Sequence, residues 1–149
     1  MRTFYKLVDD ITNILDSSEF VNTVSYGDIF ETDLEKQSIY PVSHFIVGNG
    51  SFINVAWNFE ISVICMDLVD QTNEDYHLIK GKSNEHDILN TQLQVVNKLC
   101  SELRRGDSAD SYELIGEPTV EPFKERFQDD VAGWVVTFNV QVRNDYSVC

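Results

Sequence analysis

The sequence lacks the features that mark a membrane protein or a secreted one. It has no run of about 18 apolar residues, so no membrane-spanning helix is expected. Its first ten residues, MRTFYKLVDD, contain no apolar core followed by a small-residue cleavage site, so we expect no signal peptide. With 149 residues, of which 42% are hydrophobic, the chain is predicted to form one domain over residues 1–149.

Basic residues are scarce. Eleven Lys and Arg face 25 Asp and Glu, which gives a formal net charge of −14. A surface of this charge repels the phosphates of nucleic acids instead of binding them. The composition therefore argues against a protein that reads DNA directly, although acidity alone also serves solubility.

Cysteines are few and widely separated. The three are Cys65, Cys100 and Cys149, and no CxxC motif occurs. Cys65 lies in an apolar segment and Cys100 in an apolar helical stripe, so we expect both to be small buried side chains. This usage is typical of a reducing compartment and argues against a disulfide framework.

Motifs that carry chemistry are missing as well. The histidines are His44, His77 and His86, and no two of them have the HxH or HxxxH spacing of paired metal ligands. Acidic residues near His77 and His86 make a metal cluster conceivable, but that spacing disfavours it, and His44 is expected to be a packed histidine. No GxSxG or GxxxxGK motif occurs. We therefore predict no catalytic residue, no metal site and no cofactor.

Two segments have the apolar spacing of amphipathic helices. In residues 3–16 the stripe runs from Phe4 to Leu15, and Thr3 is the expected N-cap. In residues 86–105 the stripe runs from Ile88 to Leu103. Asn84 is the expected cap of this second helix, and Gly106 is expected to end it.

The first strands are predicted to form a hairpin. Residues 40–48 are typical of a strand in which Pro41 lies at the start or on an edge, because proline cannot donate to a ladder. The GNGS sequence at 48–51 predicts the turn, and residues 52–69 form the returning arm, in which residues 54–56 are a candidate bend. Before this hairpin, residues 20–30 predict a short strand or an extended segment.

The end of the chain predicts a second pair of strands. Residues 112–123 form a strand interrupted by Pro118 and Pro122, and a polar connection follows. The last strand begins at Trp134. Its even-numbered residues through Val142 are apolar and alternate with mostly polar ones, so one face meets a core.

This order of elements predicts an α+β fold. We expect a two-layer sandwich with a mainly antiparallel sheet and two amphipathic helices packed on one of its faces. The segment WNFEISVICMDLVD, residues 57–70, alternates at first, but Ile64, Met66 and Leu68 then make its second face apolar too. That second face needs a cover, for which a neighbouring subunit is a candidate.

Two polar regions contain apolar residues that could contact a neighbour. One is the connection at 70–85, and the other is the segment 107–130, which has eight acidic and two basic residues. The segment 107–130 is either a solvated edge or the lining of a passage for DNA. Its aromatic residues are either tucked under the loop or anchors for a neighbour. The candidates for an oligomer interface are Tyr76, His77, Leu78, Ile79, Phe123 and Phe127.

The arrangement resembles the tail-terminator and tail-completion proteins of tailed bacteriophages and the related neck proteins. An N-terminal helix precedes the Pro-led strand YPVSHFIVG and the long strand WNFEISVICMDLVD. A loop then leads to the helix DILNTQLQVVNKLCSELRRG. The chain ends with VEPFKERFQDDVAGWVVTFNVQVRND, in which Gly133 and Trp134 open the last strand. The resemblance covers nearly the whole chain as an order of elements. The connections at 31–39 and 118–130 are longer and more acidic than in that family.

The resemblance implies a structural protein of the virion, made in the host cytoplasm and without enzymatic activity. It would form a homo-oligomeric ring, with a hexamer favoured over a dodecamer, at the head–tail junction or the tail end. Its partners would be other neck, portal-adaptor or tail-tube proteins, and DNA would pass through without specific binding and without any role for a membrane. Two other functions stay open, an acidic monomeric adaptor or inhibitor of a basic partner and a small intracellular enzyme with a deep pocket.

Overall fold

The computed structural model describes residues 2–27, 40–69, 84–105, 111–126 and 130–146, and it contains two helices and five strands. In chain order these are α1 (Arg2–Asp16), β1 (Thr23–Tyr26), β2 (Val42–Ile53), β3 (Ala56–Leu68), α2 (Glu85–Arg105), β4 (Tyr112–Arg126) and β5 (Asp130–Arg143). The helices begin and end within one residue of the positions that the apolar stripes predict.

The five strands form a single sheet in the order β1-β2-β3-β5-β4. The β2–β3, β3–β5 and β4–β5 pairs are antiparallel, whereas β1 lies parallel to the first residues of β2, with Thr23 beside Val42 and Tyr26 beside Phe45. The predicted α+β fold with a mainly antiparallel sheet is confirmed.

Both helices pack on the same face of the sheet. α1 buries Leu7, Ile11 and Leu15 there, and α2 adds Val95 and Leu99. The sheet contributes the side chains that alternation predicts, namely Ile61, Val63 and Cys65 of β3 and Val136, Phe138, Val140 and Val142 of β5. The Trp134 indole N–H also donates a 2.8 Å hydrogen bond to the carbonyl of Leu89, which fixes α2 to β5.

The other face of the sheet is apolar near one end and polar near the other. Near one end, Val42, Met66 and Val131 are buried in a second apolar cluster, with Ile64 and Phe123 packed against it. Toward the other end the same face is polar, and Ser62 and Thr137 lie side by side there. The prediction that β3 becomes apolar on both faces is confirmed at the adjacent buried residues Cys65 and Met66.

The predicted turn at residues 48–51 is wrong. β2 continues through these residues to Ile53, and the turn lies at Asn54 and Val55, within the candidate bend at 54–56. The register of β2 against β3 shifts between Val47 and Gly50. Gly50 is required for close packing, because a Cβ there would lie 2.5 Å from Cε1 of Phe59.

The predicted interruption of β4 is confirmed at Pro118, which lies in a break of the ladder, and is wrong at Pro122, which pairs with Trp134. The strand runs through both prolines to Arg126, with a register shift between Ile115 and Thr119. Gly116, with φ of 66°, lies in that shift and allows the strand to continue as a bulge. The expected polar connection shrinks accordingly, since β5 begins at Asp130.

Candidate assembly surface

Most of the predicted interface residues lie outside the part of the chain that the structure describes. This holds for Tyr76, His77, Leu78 and Ile79, and for Phe127. Phe123 is the one predicted interface residue whose surroundings are described.

Phe123 is half-buried against its own sheet. It lies directly opposite Gly133, and Gly133 lies opposite Met66 on the next strand. A side chain at Gly133 would collide with the carbonyl oxygen of Cys65, so only glycine fits here, and Phe123 packs beside it on the second apolar cluster. At least part of the Phe123 ring therefore serves the fold.

Among the described residues, the largest group of neighbouring exposed apolar side chains lies at the end of the β2–β3 hairpin. We define the hairpin tip as residues 48–55, all of which are exposed. Phe52 is 53% exposed, Ile53 45% and Val55 76%. Exposed apolar groups concentrated in this way mark interaction sites more often than scattered ones do.

Aromatic packing holds the hairpin tip in a defined position. The ring of Phe52 lies 4.9 Å from that of Trp57, Trp57 stacks on Phe59 at 6.3 Å, and Phe59 contacts Phe4 of α1 at 5.3 Å. This row of rings connects the tip to the main core. The tip is therefore preorganised, which lowers the entropic cost of binding.

The backbone of the tip is tethered as well. The N–H of Asn144, just after β5, donates a 3.2 Å hydrogen bond to the carbonyl of Val55. Asn54 adopts the left-handed conformation, with φ of 55°, which asparagine tolerates better than most residues.

Sequence reasoning missed the hairpin tip although a signal was present. Residues 37–59 contain no Asp, Glu, Lys or Arg, in a chain whose charged residues make up 24% of the total. Assigning GNGS to the turn hid the signal, because it placed Phe52 and Ile53 on the returning strand instead of at the tip.

Strand β4 forms the opposite edge of the sheet and is acidic. We define the acidic edge as Glu113, Glu117 and Glu121, which are exposed. In contrast, Lys124 on the same strand forms a 3.2 Å ion pair with Glu85 of α2. Arg104 of α2 reaches the same strand and donates a 2.8 Å hydrogen bond to the carbonyl of Gly116. The three glutamates themselves form no ion pair with the described basic side chains.

Among the described residues, a Ser–His pair comes closest to catalytic geometry. Oγ of Ser25 lies 2.6 Å from Nδ1 of His44, and Nε2 of His44 lies 2.8 Å from the carbonyl oxygen of Gly27. Since a carbonyl only accepts, Nε2 carries a proton, and in the neutral imidazole Ser25 donates to Nδ1. A carboxylate usually occupies the carbonyl's place in a hydrolase triad and stabilises the charged imidazole. His44 is fully buried, and its bonds join β1 to β2, as expected for a packed histidine.

The described cysteines are poor nucleophiles. Burial raises the pKa of Cys65 to about 12, and its sulfur accepts a 3.7 Å hydrogen bond from Ser43. Burial also raises the pKa of the half-buried Cys100. Thiols rather than thiolates are therefore present near neutral pH, and Cys149 lies outside the described residues.

A groove between the helices offers little convergent chemistry. It has a volume of about 460 Å³ and is lined by residues of α1, α2 and the start of β4, including Asp10, Glu102 and Arg105. Asp10 already accepts hydrogen bonds from Lys6 and Tyr112, at 3.1 and 2.7 Å. Across the five described ranges, no group of three or more His, Cys, Asp and Glu residues is arranged to hold a metal ion.

No protein-family model matches the chain, and no curated protein matches it either. Neither described helix is long and apolar enough to cross a membrane.

Proposed function

We propose that this protein is a ring-forming structural protein of a tailed bacteriophage, located at the head–tail junction or the tail end. Identical subunits, with a hexamer favoured, form a closed ring that joins tail to head and lets DNA pass. The order of elements that resembles the tail-terminator and neck proteins supports this assignment, and the α+β fold is compatible with it.

The observation that carries the proposal is the preorganised, uncharged hairpin tip. Exposed apolar surface costs about 25 cal/mol per Å² relative to buried surface, and the tip exposes Phe52, Ile53 and Val55 together. A chain with a formal net charge of −14 repels other copies of itself over most of its surface. An uncharged apolar projection is the part that another protein subunit can approach without opposing carboxylates.

The acidity of the chain fits the passage of DNA. A lumen that DNA crosses must not bind phosphates, and a negative surface repels them at any sequence. The excess of Asp and Glu over Lys and Arg, 25 against 11, supplies such charge. We therefore expect the purified protein to leave double-stranded DNA unshifted in a gel at physiological salt.

The acidic edge also favours a second candidate function. Three exposed glutamates along one strand, with no basic partner among the described side chains, suit an adaptor or inhibitor that binds a basic protein. Such a protein would stay monomeric. A pull-down against basic proteins would yield a stoichiometric complex.

The decisive experiment measures the mass of the purified protein over a concentration series. The ring proposal predicts a discrete species of about six or about twelve subunits in mass photometry, and negative-stain images with a central opening. A monomer at every concentration, together with stoichiometric binding of a basic protein, would support the adaptor function instead.

A further inference from the structure

The hairpin tip and the acidic edge lie on opposite sides of the same sheet. β1 pairs only with Val42–Phe45 of β2, so among the described strands the outer part of the hairpin borders the sheet on that side. β4 borders it on the other side. Contacts between opposite edges of identical subunits are head-to-tail, and contacts of that kind generate rings when the rotation closes.

The two edges differ in charge as well as in shape. Arg143 lies opposite Ala56, the residue that follows the hairpin tip. At the same end of the molecule, the backbone N–H of Arg2 donates a hydrogen bond to Asp145. The guanidinium groups of both arginines are exposed and have no ion pair among the described side chains. They can therefore face the acidic edge, whose exposed Val120 also offers an apolar contact.

Pro122 of β4 limits how a neighbouring subunit can contact this edge of the sheet. Pro122 pairs in register with Trp134 and fits only where its nitrogen faces away from β5, since proline has no N–H to donate. The outer edge of β4 thus lacks a backbone donor at this position, and proline on an edge opposes strand addition. A neighbour can engage this edge through side chains but not by extending the sheet along the whole strand.

We infer that the hairpin tip of one subunit docks on the acidic edge of a second copy of this chain. Phe52, Ile53 and Val55 of one copy cover the apolar part of β4 around Val120 of the next. Arg2 and Arg143 of the first copy face Glu113 and Glu121 of the second. This inference rests on the proposed ring-forming function and names the contact that builds the ring.

Charge reversal tests the docking surface. Glu113→Arg with Glu121→Arg is expected to raise the concentration for half-assembly at least ~10-fold, since like charges then oppose each other. Adding Arg2→Glu and Arg143→Glu to the same chain restores the opposite-sign pairs and is expected to recover assembly. The matched control is Asp16→Arg with Glu19→Arg, which changes the net charge equally at exposed positions and leaves assembly no weaker than in the wild type.

A second pair of variants tests the apolar part. Phe52→Ser with Val55→Ser is expected to abolish assembly, whereas Tyr5→Ser, at a residue 72% exposed on α1, leaves it unchanged. Circular dichroism and thermal unfolding of each variant show whether the fold is kept. If a tip variant fails to fold, the charge-reversal series decides.

The outcomes separate this inference from the proposed function. Rings that form normally in the tip variant and in the Glu113/Glu121 variant would overturn the docking contact and leave the ring function in place. Failure of the fourfold variant to recover assembly would also overturn the charge pairing. A wild type that stays monomeric at all concentrations would overturn both proposals.

Discussion

The carboxylate of Asp145 accepts a 2.7 Å hydrogen bond from the backbone N–H of Arg2, 143 residues away along the chain. It also accepts a 3.4 Å bond from the N–H of Thr3. Thr3 was expected to cap α1 but lies within the helix, and its hydroxyl donates to the carbonyl of Arg143. The first backbone N–H groups of α1 thus find their hydrogen-bond acceptor in the segment after β5, and these bonds join α1 to that segment.

Asp145→Ala is expected to lower the melting temperature at neutral pH, because α1 loses its acceptor. Desolvation raises the pKa of Asp145, but the N–H bonds from Arg2 and Thr3 outweigh it and hold the pKa below its usual range. Because the folded value lies below the unfolded one, the carboxylate stabilises the fold above the ordinary aspartate pKa of about 3.9. This contribution fades as the pH falls through the lower folded value.

Thermal unfolding between pH 2 and pH 7 would measure this difference. The control is Asp9→Ala, which removes an exposed aspartate from the same helix. A difference between wild type and Asp145→Ala that did not narrow in acid would contradict the capping role.

Asp67→Asn is expected to stabilise the fold, whereas Asp145→Ala destabilises it. Burial raises the pKa of Asp67, although the N–H of Leu68 donates a 2.7 Å bond to its carboxylate and partly offsets the effect. Since the folded pKa lies above the unfolded one, the native state favours the protonated form. The amide should therefore stabilise the fold above the raised pKa, by about a few tenths of a kcal/mol after solvent screening.

Below the ordinary aspartate pKa the gain from Asp67→Asn should vanish, since the wild-type carboxyl is then protonated in both states. Urea unfolding at pH 7 and at low pH measures the gain, with Glu60→Gln at an exposed position as control. An equal gain at both pH values would show that packing, and not charge, is responsible.

The sequence predicts the elements whose evidence is local and periodic. The alternation from Trp134 to Val142 identifies the core face of β5, because a strand repeats every two residues. The stripe of α2 identifies most of its buried side, but Leu93 of the stripe is exposed, whereas Gln92 and Val95 outside it are buried.

Contacts between segments that are far apart in the sequence cannot be predicted from such local patterns. The cap that Asp145 gives α1 joins opposite ends of the chain. Gly50 resembles a turn residue locally, yet its role is to make room for the ring of Phe59 on the facing strand. The exposed tip escapes prediction for the same reason, since its position depends on that strand pairing.

Gln92→Leu is expected to stabilise the fold. The side chain of Gln92 is fully buried, its Nε2 donates one long hydrogen bond of 3.4 Å to the carbonyl of Phe20, and its Oε1 has no partner. A buried polar atom without a partner costs about 1–3 kcal/mol, and leucine removes it at the loss of one weak bond. Urea unfolding should give a gain of about 0.5–1 kcal/mol, whereas Gln94→Leu, at an exposed position of α2, should change little. A loss of stability at Gln92 would mean that its amide bond to Phe20 matters more than its orphaned oxygen.

Gly50→Val tests whether close packing positions the hairpin tip. A Cβ at Gly50 would lie 2.5 Å from Cε1 and 2.8 Å from Cδ1 of Phe59, and the Phe59 ring is held by Trp57 and Phe4. The ring must shift, at an expected cost of about 1–3 kcal/mol, whereas Asn49→Ala at the neighbouring exposed position should cost far less. Denaturant unfolding measures the loss, and tryptophan fluorescence reports the change around Trp57. If Gly50→Val unfolded like the wild type with an unchanged spectrum, the tip would be held by its backbone tether at Asn144 and not by the aromatic row.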